Sequence, residues 1–325
     1  MGVFTVLAEA DLIGIAAAFG LGDVRGFRAI AAGTINSNYE LVTSRATFFV
    51  RVNEGKSEAD VGWEARLVTA LAQGGVITPP PLPALDQKPY APLAQGTSRK
   101  WVSVFPWRDG SHLAPEAITP ELATKFGAAL AQLHHVGLSL PAGWRRGSIY
   151  DHDHLVARYA RFERNDDRGL TDAIRILGEE LGKIADATHL RRRATHGIIH
   201  GDLFRDNVLW DAGEISAILD FEQASGGSLV YDLGVCINDW CWDGAPRVDL
   251  AHALVAGYQT VRALTDADRG ALPIEIRAAA ARFTITRITD VYLARVPNPD
   301  KDFRAFLARC EAWRGPSLGQ LTSAV

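Results

Sequence analysis

The chain has 325 residues, of which 47% are hydrophobic and 22% are charged, a balance typical of a soluble globular protein. Its net charge of −4 argues against a nucleic-acid-binding protein, because such proteins normally carry a surplus of basic residues. The three cysteines form no C-x-x-C pair, and no apolar run approaches the roughly 18 residues that span a bilayer. We therefore expect a cytoplasmic protein that binds neither nucleic acid nor membrane.

Residues 1–105 have the pattern of a small sheet with attached helices. A helix is predicted at 8–19, where Ala and Leu are frequent and acidic residues come early. Strands are predicted at 26–32, 39–43, 47–52 and 101–105, and the third of these is rich in aromatic and β-branched residues. Helical spacing of apolar residues predicts another helix at 57–73. The break at 106–110, with the sequence PWRDG, is our candidate hinge between two lobes.

Beyond residue 106, helical patterns dominate. Helices are predicted at 123–135 and 168–186, and short strands at 197–200, 208–210 and 215–220. The chain after about residue 228 is predicted to be mostly helical. A β-rich N-terminal part followed by an α-rich C-terminal part indicates an α+β fold.

The most informative pattern lies at residues 196–221. It consists of His-x-Asp ending at Asp202, Asn207 five residues later, and Asp220 after a predicted strand. Phosphoryl transfer needs a carboxylate that orients the acceptor hydroxyl and takes its proton. It also needs oxygen ligands for Mg²⁺, which an amide and a second carboxylate can supply. We therefore predict that Asp202 is catalytic and that Asn207 and Asp220 are metal ligands.

The order and spacing of these residues nearly match the protein-kinase motifs H-R-D-x-x-x-x-N and D-F-G. Asp and Asn are also common in turns, so turn chemistry alone is an alternative explanation of the loop. His200 is more readily explained as a structural residue that braces the loop than as a proton carrier. Asp206 and Asp211 are predicted to be turn residues.

The motif H-G-D-x-x-x-x-N followed by Asp resembles the aminoglycoside phosphotransferase and choline kinase superfamily. The fuller string HGDLFRDN at 200–207 resembles the bacterial homoserine kinases of that superfamily. Further similar segments are NSNY at 36–39, YDL at 231–233 with NDWC at 238–241, and RFTITR at 282–287. The resemblance covers nearly the whole chain.

This resemblance implies a two-lobed, protein-kinase-like α+β fold. The nucleotide-binding lobe, with a small antiparallel sheet, would comprise residues 1–105. A larger and mainly helical lobe for catalysis and acceptor binding would comprise residues 106–325. The resemblance also implies ATP and Mg²⁺ as cofactors and O-phospho-L-homoserine, made for threonine biosynthesis, as the product.

The resemblance further implies roles in nucleotide binding. Arg51 stands where kinases have a phosphate-contacting lysine, and Glu64 on the next helix is its expected ion-pair partner. The nucleotide loop at 33–38 has one glycine instead of G-x-G-x-x-G, so Ser37 and Asn38 are expected to contribute to phosphate binding. Glu222 replaces the glycine of D-F-G, a departure that could change the acceptor pocket.

Homoserine is a zwitterion, so its site needs a cation for the carboxylate and an anion or carbonyl for the ammonium group. Arg282 and Arg287 are the candidates for the cation. The candidates for the ammonium are Asp232, Asp239 and Asn238, although Asp232 could equally brace the catalytic loop.

Two alternatives to a homoserine kinase remain at this point. One is a kinase of the same fold that acts on another amino alcohol, a sugar derivative or an aminoglycoside. The other is a non-catalytic nucleotide-binding protein. Such a protein would be expected to have lost one of the three predicted catalytic and metal-binding residues, and all three are present.

Overall fold

The structure, a computed structural model, describes residues 4–30, 36–95 and 98–323. The chain forms two structural units. Unit 1 comprises Met1–Gly110 and Ser216–Glu222, and unit 2 comprises Ser111–Ile215 and Gln223–Val325. The segment Ser216–Glu222 therefore packs with a part of the chain that is distant in sequence. It carries Asp220 into unit 1.

The elements of unit 1 are α1 (Glu9–Phe19), β1 (Val24–Ile30), β2 (Ser37–Thr43), β3 (Thr47–Asn53), α2 (Glu58–Gln73), β4 (Ala91–Gln95) and β5 (Ser98–Pro106). The five strands form an antiparallel sheet with the order β1-β2-β3-β5-β4. Strand β2 alternates buried and half-buried residues, as expected of a strand with one face against a core. Leu41, Val50 and Val104 from three strands are fully buried and belong to one core with Leu12 and Ile15 of helix α1.

Helix α2 begins at a side-chain cap, because the Ser57 hydroxyl accepts a hydrogen bond from Asp60 N at 3.2 Å. Val61, Ala65 and Val68 are buried on one helical stripe, at the spacing of four and three residues that the sequence predicted. The helix predicted at 57–73 is therefore confirmed.

From residue 111 onwards the chain is mainly helical. The elements are α3 (Pro120–Ser139), α4 (His152–Tyr159), α5 (Thr171–Asp186), α6 (Thr188–Arg193), β6 (His196–Ile199), β7 (Val208–Asp211), β8 (Glu214–Ile218), β9 (Ser225–Ser228), α7 (Leu229–Trp240), α8 (Val248–Gln259), α9 (Asp266–Arg287), α10 (Arg304–Ala312) and α11 (Pro316–Thr322). The two short strands β6 and β9 pair antiparallel within unit 2.

Most of the predicted elements are present, with a few differences. Strand β1 ends at Ile30, and residues 31–32 of the predicted strand lie outside the described residues. The helix predicted at 168–186 begins as a 3₁₀ turn at Arg168–Leu170 before α5. Strand β8 ends at Ile218, so Asp220 follows the strand instead of ending it. None of the helices in the described residues has both the length and the hydropathy to cross a membrane.

Helices α3 and α8 approach each other so closely that glycine is required at the contact. A Cβ atom on Gly127 would lie 2.0 Å from Leu254 O, and one on Gly257 would lie 2.0 Å from Thr124 O. Both oxygens belong to the backbone, which cannot move aside as a flexible side chain could. These two glycines therefore set the distance between the two helices.

The first prediction concerns this helix contact. We expect Gly127→Ala to lower the free energy of unfolding by about 2 kcal/mol or more, because the added methyl group forces α3 and α8 apart. Gly14→Ala in α1 is the control, because a Cβ there meets no atom within 4 Å. It should raise the stability by about 0.5–1 kcal/mol. Urea unfolding of both variants tests this, and a similar small effect at both positions would contradict it.

Candidate active site

The turn that carries Asp202 is held by the carboxylate of Asp232, which lies on α7 and is completely buried. This carboxylate accepts hydrogen bonds from His200 N (2.6 Å) and Gly201 N (2.8 Å), and His134 Nε2 lies 3.1 Å from it. Gly201 has a φ of +78°, which glycine adopts without strain. A buried carboxylate must be paired and hydrogen-bonded. These contacts therefore fix the backbone directly before Asp202.

Helix α7 also holds the far end of this loop. Trp240 Nε1 donates to Leu203 O at 3.2 Å, and the Asp239 carboxylate accepts from Arg205 N (2.8 Å) and Arg205 Nε (3.0 Å). Asp232 and Asp239 are two helical turns apart, so they lie on the same face of α7. One face of this helix therefore fixes both the beginning and the end of the loop.

Asn207 closes the loop with its side chain. Its Nδ2 donates to the carbonyl oxygen of Asp202 at 2.7 Å, which leaves Oδ1 on the other side of the amide. Within the described part of the chain, Oδ1 has no hydrogen-bond partner. Mg²⁺ accepts amide carbonyl oxygens as ligands, so this arrangement fits the predicted role of Asn207.

Two arginines of α9 lie close to the catalytic loop. Arg282 is 3% exposed, and its Nη1 donates to Asp202 Oδ1 at 3.2 Å. Arg287 stacks on the ring of Phe306, with 4.4 Å between its Cζ and the ring centroid. Burial lowers the pKa of Arg287 below its ordinary value, while nearby carboxylates, including that of Asp202, oppose the shift. The loop that carries Asp202 is therefore surrounded by both positively and negatively charged side chains.

Asp206 adds a negative charge to this group. The residue is exposed overall, but partial loss of solvation at its carboxylate raises the pKa of Asp206 above its ordinary value, and the carboxylates of Asp239 and Asp202 add to the increase. No hydrogen bond or close ion pair joins the Asp206 side chain to another described residue, although the more distant charges of Lys301 and His112 partly oppose the increase in its pKa. The sequence predicted only a turn residue here, whereas the structure gives a carboxylate that a cationic ligand group could use.

In unit 1, Arg51 of β3 and Glu64 of α2 form a buried ion pair. Arg51 Nη2 lies 2.6 Å from Glu64 Oε1, and both side chains are less than a tenth exposed. Burial alone would lower the pKa of Arg51, but the carboxylates of Glu64, Asp220 and Glu222 outweigh it and raise the pKa above its ordinary value. The buried Nε of Arg51 has no partner among the described residues. The predicted phosphate-binding cation is thus fully charged and keeps a donor free.

Asp220 lies two residues beyond the end of β8 and has a φ of +62°. Aspartate is one of the few residues other than glycine that enter this left-handed region readily. Its Oδ1 is 3.8 Å from Arg51 Nη1, and 40% of its side chain is exposed. An accessible carboxylate next to the predicted phosphate-binding cation fits the predicted role of Asp220 as a ligand of a hard metal ion.

Glu222 occupies the position of the glycine in D-F-G, and its side chain is used within unit 1. Its Oε2 accepts hydrogen bonds from Lys56 Nζ (2.9 Å) and Asn36 Nδ2 (2.7 Å). Lys56 Nζ is also 3.4 Å from Glu64 Oε2. A continuous series of charged contacts therefore joins the segment that carries Asp220 to α2 and to β3.

The two side chains predicted to help bind phosphate differ in their surroundings. Ser37 is completely buried. Its hydroxyl accepts hydrogen bonds from the backbone N–H groups of Phe4 and Thr5 and donates one to Glu54. A ligand cannot contact this hydroxyl in the conformation described. Asn38 is half-buried and lies opposite Arg51 in the β2–β3 ladder. Residues 33–35 of the predicted nucleotide loop lie outside the described residues.

Residues 26–264 match the phosphotransferase enzyme family. The chain belongs to this family. It is 33% identical over 295 residues to the homoserine kinase of Gluconacetobacter diazotrophicus, an alignment that covers 89% of each chain. The prediction of a phosphotransferase is therefore confirmed.

Solved structures of other kinases share the fold of this phosphotransferase. An amicoumacin kinase in complex with AMP-PNP and Ca²⁺ superimposes with a TM-score of 0.74 at 15% identity, over 95% of this chain and 94% of the other. A microcompartment-associated aminopropanol kinase gives a TM-score of 0.69 at 20% identity, over 96% of this chain and 100% of the other. The predicted kinase-like α+β fold is therefore confirmed.

The structure does not bring all of the predicted acceptor-binding residues to a surface of the phosphotransferase. Asp232 and Asn238 have no exposed area, so a ligand has nothing to contact on them. Asn238 donates to Gly234 O and Ile276 O, and its Oδ1 accepts from Trp313 Nε1. Both side chains hold the fold together instead. Asp239 is 7% exposed and is already committed to Arg205.

The second prediction concerns the pair of Lys56 and Glu222. Their side chains are 18% and 6% exposed, so water screens the pair weakly. A double-mutant cycle with Lys56→Met and Glu222→Gln should give a coupling energy of about 1–3 kcal/mol in urea unfolding.

Lys88 and Glu58 form the matched control. They are 3.4 Å apart, with side chains that are 55% and 43% exposed. The same cycle there should give less than about 0.5 kcal/mol. A coupling energy for Lys56 and Glu222 as small as that of the control pair would show that this contact does not hold the segment Ser216–Glu222 against the rest of unit 1.

Proposed function

We propose that this phosphotransferase transfers the γ-phosphoryl group of Mg·ATP to the hydroxyl of L-homoserine, forming O-phospho-L-homoserine for threonine biosynthesis. The observation that carries the proposal is the buried Arg282 guanidinium hydrogen-bonded to Asp202. Arg282 provides a cation that can bind the carboxylate of the acceptor. This cation lies directly beside Asp202, which is proposed to receive the hydroxyl proton. The similarity to homoserine kinases over most of the chain supports the same acceptor.

Asp202 is the proposed catalytic residue. It orients the acceptor hydroxyl and accepts its proton as the hydroxyl oxygen forms a bond to the γ-phosphorus. The bond from the γ-phosphorus to the bridging oxygen breaks, and ADP leaves with that electron pair. The contacts that α7 makes to the loop keep the Asp202 backbone in place, so little reorganisation is needed when the substrate binds.

On the nucleotide side, we assign Arg51 to the phosphate oxygens and Glu64 to its orientation. The guanidinium can form paired hydrogen bonds to phosphate, whereas the lysine found at this position in other kinases acts as a point charge. Asn38, opposite Arg51 in the sheet, is a further candidate for phosphate contact. Asn207 and Asp220 each offer an oxygen that suits Mg²⁺, which would neutralise phosphate charge during transfer.

On the acceptor side, the charges of unit 2 match a zwitterion. Arg282 and Arg287 are the proposed partners of the carboxylate, because guanidinium groups bind carboxylates through paired donors. Asp206 is the proposed partner of the ammonium group, since its carboxylate has no ion pair within the described residues. An uncharged sugar would leave these groups without partners, which costs binding energy.

The third prediction tests this proposal with a coupled ADP-release assay. With Mg·ATP, we expect saturable turnover with L-homoserine and none above background with choline, ethanolamine, methylthioribose or kanamycin. Only L-homoserine has a carboxylate, an ammonium group and a free hydroxyl together. Turnover with another acceptor but not with L-homoserine would replace the proposed substrate. No turnover with any acceptor, with ATP bound, would contradict the proposal.

Two variants control this assay. Asp202→Asn should lower kcat with L-homoserine by about 10³-fold, because the amide cannot take the proton, while the Kd for Mg·ATP stays nearly unchanged. Asp211→Asn, at an exposed position at the end of β7, should leave both quantities as in the wild type. Equal loss of ATP binding and turnover in Asp202→Asn would remove Asp202 from its assigned role.

A further inference from the structure

The guanidinium of Arg282 is buried with most of its donors unused. The residue is 3% exposed, and its one hydrogen bond runs from Nη1 to Asp202 Oδ1 at 3.2 Å. Nε is buried without a partner, and Nη2 also has none among the described residues. Leaving donors of a buried charged group unsatisfied is costly. The unused donors of Arg282 can therefore bind a second hydrogen-bond acceptor next to Asp202.

Two aromatic rings fix the orientation of this guanidinium. Arg282 Cζ lies 3.7 Å from the ring centroid of Phe283 and 4.1 Å from that of Tyr150. Rings over a guanidinium plane stabilise the cation and leave only its edge available for hydrogen bonds. Tyr150 precedes α4 and lies far from Arg282 in sequence, and its hydroxyl has no partner within the described residues. Tyr150 therefore acts on Arg282 through its ring.

We propose that Arg282, held against the rings of Tyr150 and Phe283, binds the acceptor carboxylate and thereby releases Asp202 from its ion pair with Arg282. This inference rests on the proposed function. In the free enzyme Asp202 is partnered by Arg282, and the arriving carboxylate binds the unused donors of the guanidinium and neutralises the charge that holds Asp202. Asp202 then accepts the hydroxyl proton during phosphoryl transfer. Tyr150 is a positioning residue, because it acts on the acceptor through Arg282.

The dimensions of L-homoserine suit this exchange. Three carbon atoms separate its hydroxyl oxygen from its carboxylate carbon, a span of roughly 5 Å when extended. Both ends can therefore be bound by two groups that already touch each other. An acceptor without a carboxylate leaves Arg282 on Asp202, so the enzyme discriminates against simple amino alcohols at the step that activates the hydroxyl.

The fourth prediction compares L-homoserine with 3-aminopropan-1-ol, which is the same molecule without its carboxylate. Arg282→Gln should lower kcat/KM for L-homoserine by about 100-fold, mainly through KM. The same variant should leave kcat/KM for 3-aminopropan-1-ol unchanged or raised, because Asp202 is no longer paired. If Arg282 only orients Asp202, kcat/KM falls equally for both acceptors. That result would overturn the proposal.

Binding measurements keep the test decisive if turnover of 3-aminopropan-1-ol is too slow to measure. Calorimetric titration of both acceptors into the enzyme with Mg·AMP-PNP should show that Arg282→Gln weakens L-homoserine binding selectively. Equal Kd changes for the two acceptors would contradict the carboxylate contact. Arg269→Gln, on the same helix and without contact to Asp202, should behave as the wild type for both acceptors.

Tyr150 provides variants that do not place a new side chain in the core. Tyr150→Ala should lower the ratio of kcat/KM for L-homoserine to kcat/KM for 3-aminopropan-1-ol by about tenfold. Tyr150→Phe should keep this ratio, since only the ring contacts Arg282. Equal discrimination in Tyr150→Ala and the wild type would remove Tyr150 from this role. A wild-type enzyme inactive on L-homoserine would contradict the proposed function itself, which is a separate outcome.

Discussion

The arrangement of the catalytic loop depends on a helix with acidic residues on one face. Asp232 and Asp239 of α7 hold opposite ends of the loop, and Trp240 holds its middle through a backbone oxygen. The Asp232 carboxylate is completely buried and needs all of its donors, so the loop backbone and the helix stabilise each other. Asp202, the proposed catalytic residue, can then be an accessible side chain on a rigid turn.

In unit 1, a buried ionic network holds the segment that carries Asp220. Arg51 and Glu64 join the sheet to α2, and Lys56 joins Glu64 to Glu222. Glu222 is two residues from Asp220, so the position of that carboxylate is linked to the strand that carries Arg51. A glycine at this position, as in protein kinases, could not make these contacts. The departure from D-F-G therefore has a structural explanation that does not involve the acceptor.

Hydrophobic periodicity was sufficient to predict most elements, because it reflects which face of each helix or strand is buried. The sequence pattern does not predict strands β4 and β9 or helices α4 and α6. The sequence of β9, Ser-Gly-Gly-Ser, has no strand propensity, and its pairing with β6 comes from tertiary context. The order and spacing of Asp202, Asn207 and Asp220 are readable in the sequence because these residues lie within one short stretch of chain.

The acceptor site was less predictable, because burial and pairing are not visible in residue types. Asp232 and Asn238 look like ligand-binding residues in the sequence, but α7 directs them into the interior. The sequence predicts only a turn residue at Asp206, and its position near the carboxylates of Asp239 and Asp202 arises in the folded chain. The contact of Tyr150 with Arg282 joins residues that are distant in sequence, so no local pattern indicates it.

The central claim is that the acceptor hydroxyl of L-homoserine attacks the γ-phosphorus. The most direct test is ³¹P NMR of a reaction mixture that contains the enzyme, Mg·ATP and L-homoserine. We expect a phosphate monoester signal that is split by the two protons of the adjacent CH₂ group and grows in equal amount with ADP. ADP accompanied only by inorganic phosphate, or by an acyl phosphate on the carboxylate, would contradict transfer to the hydroxyl.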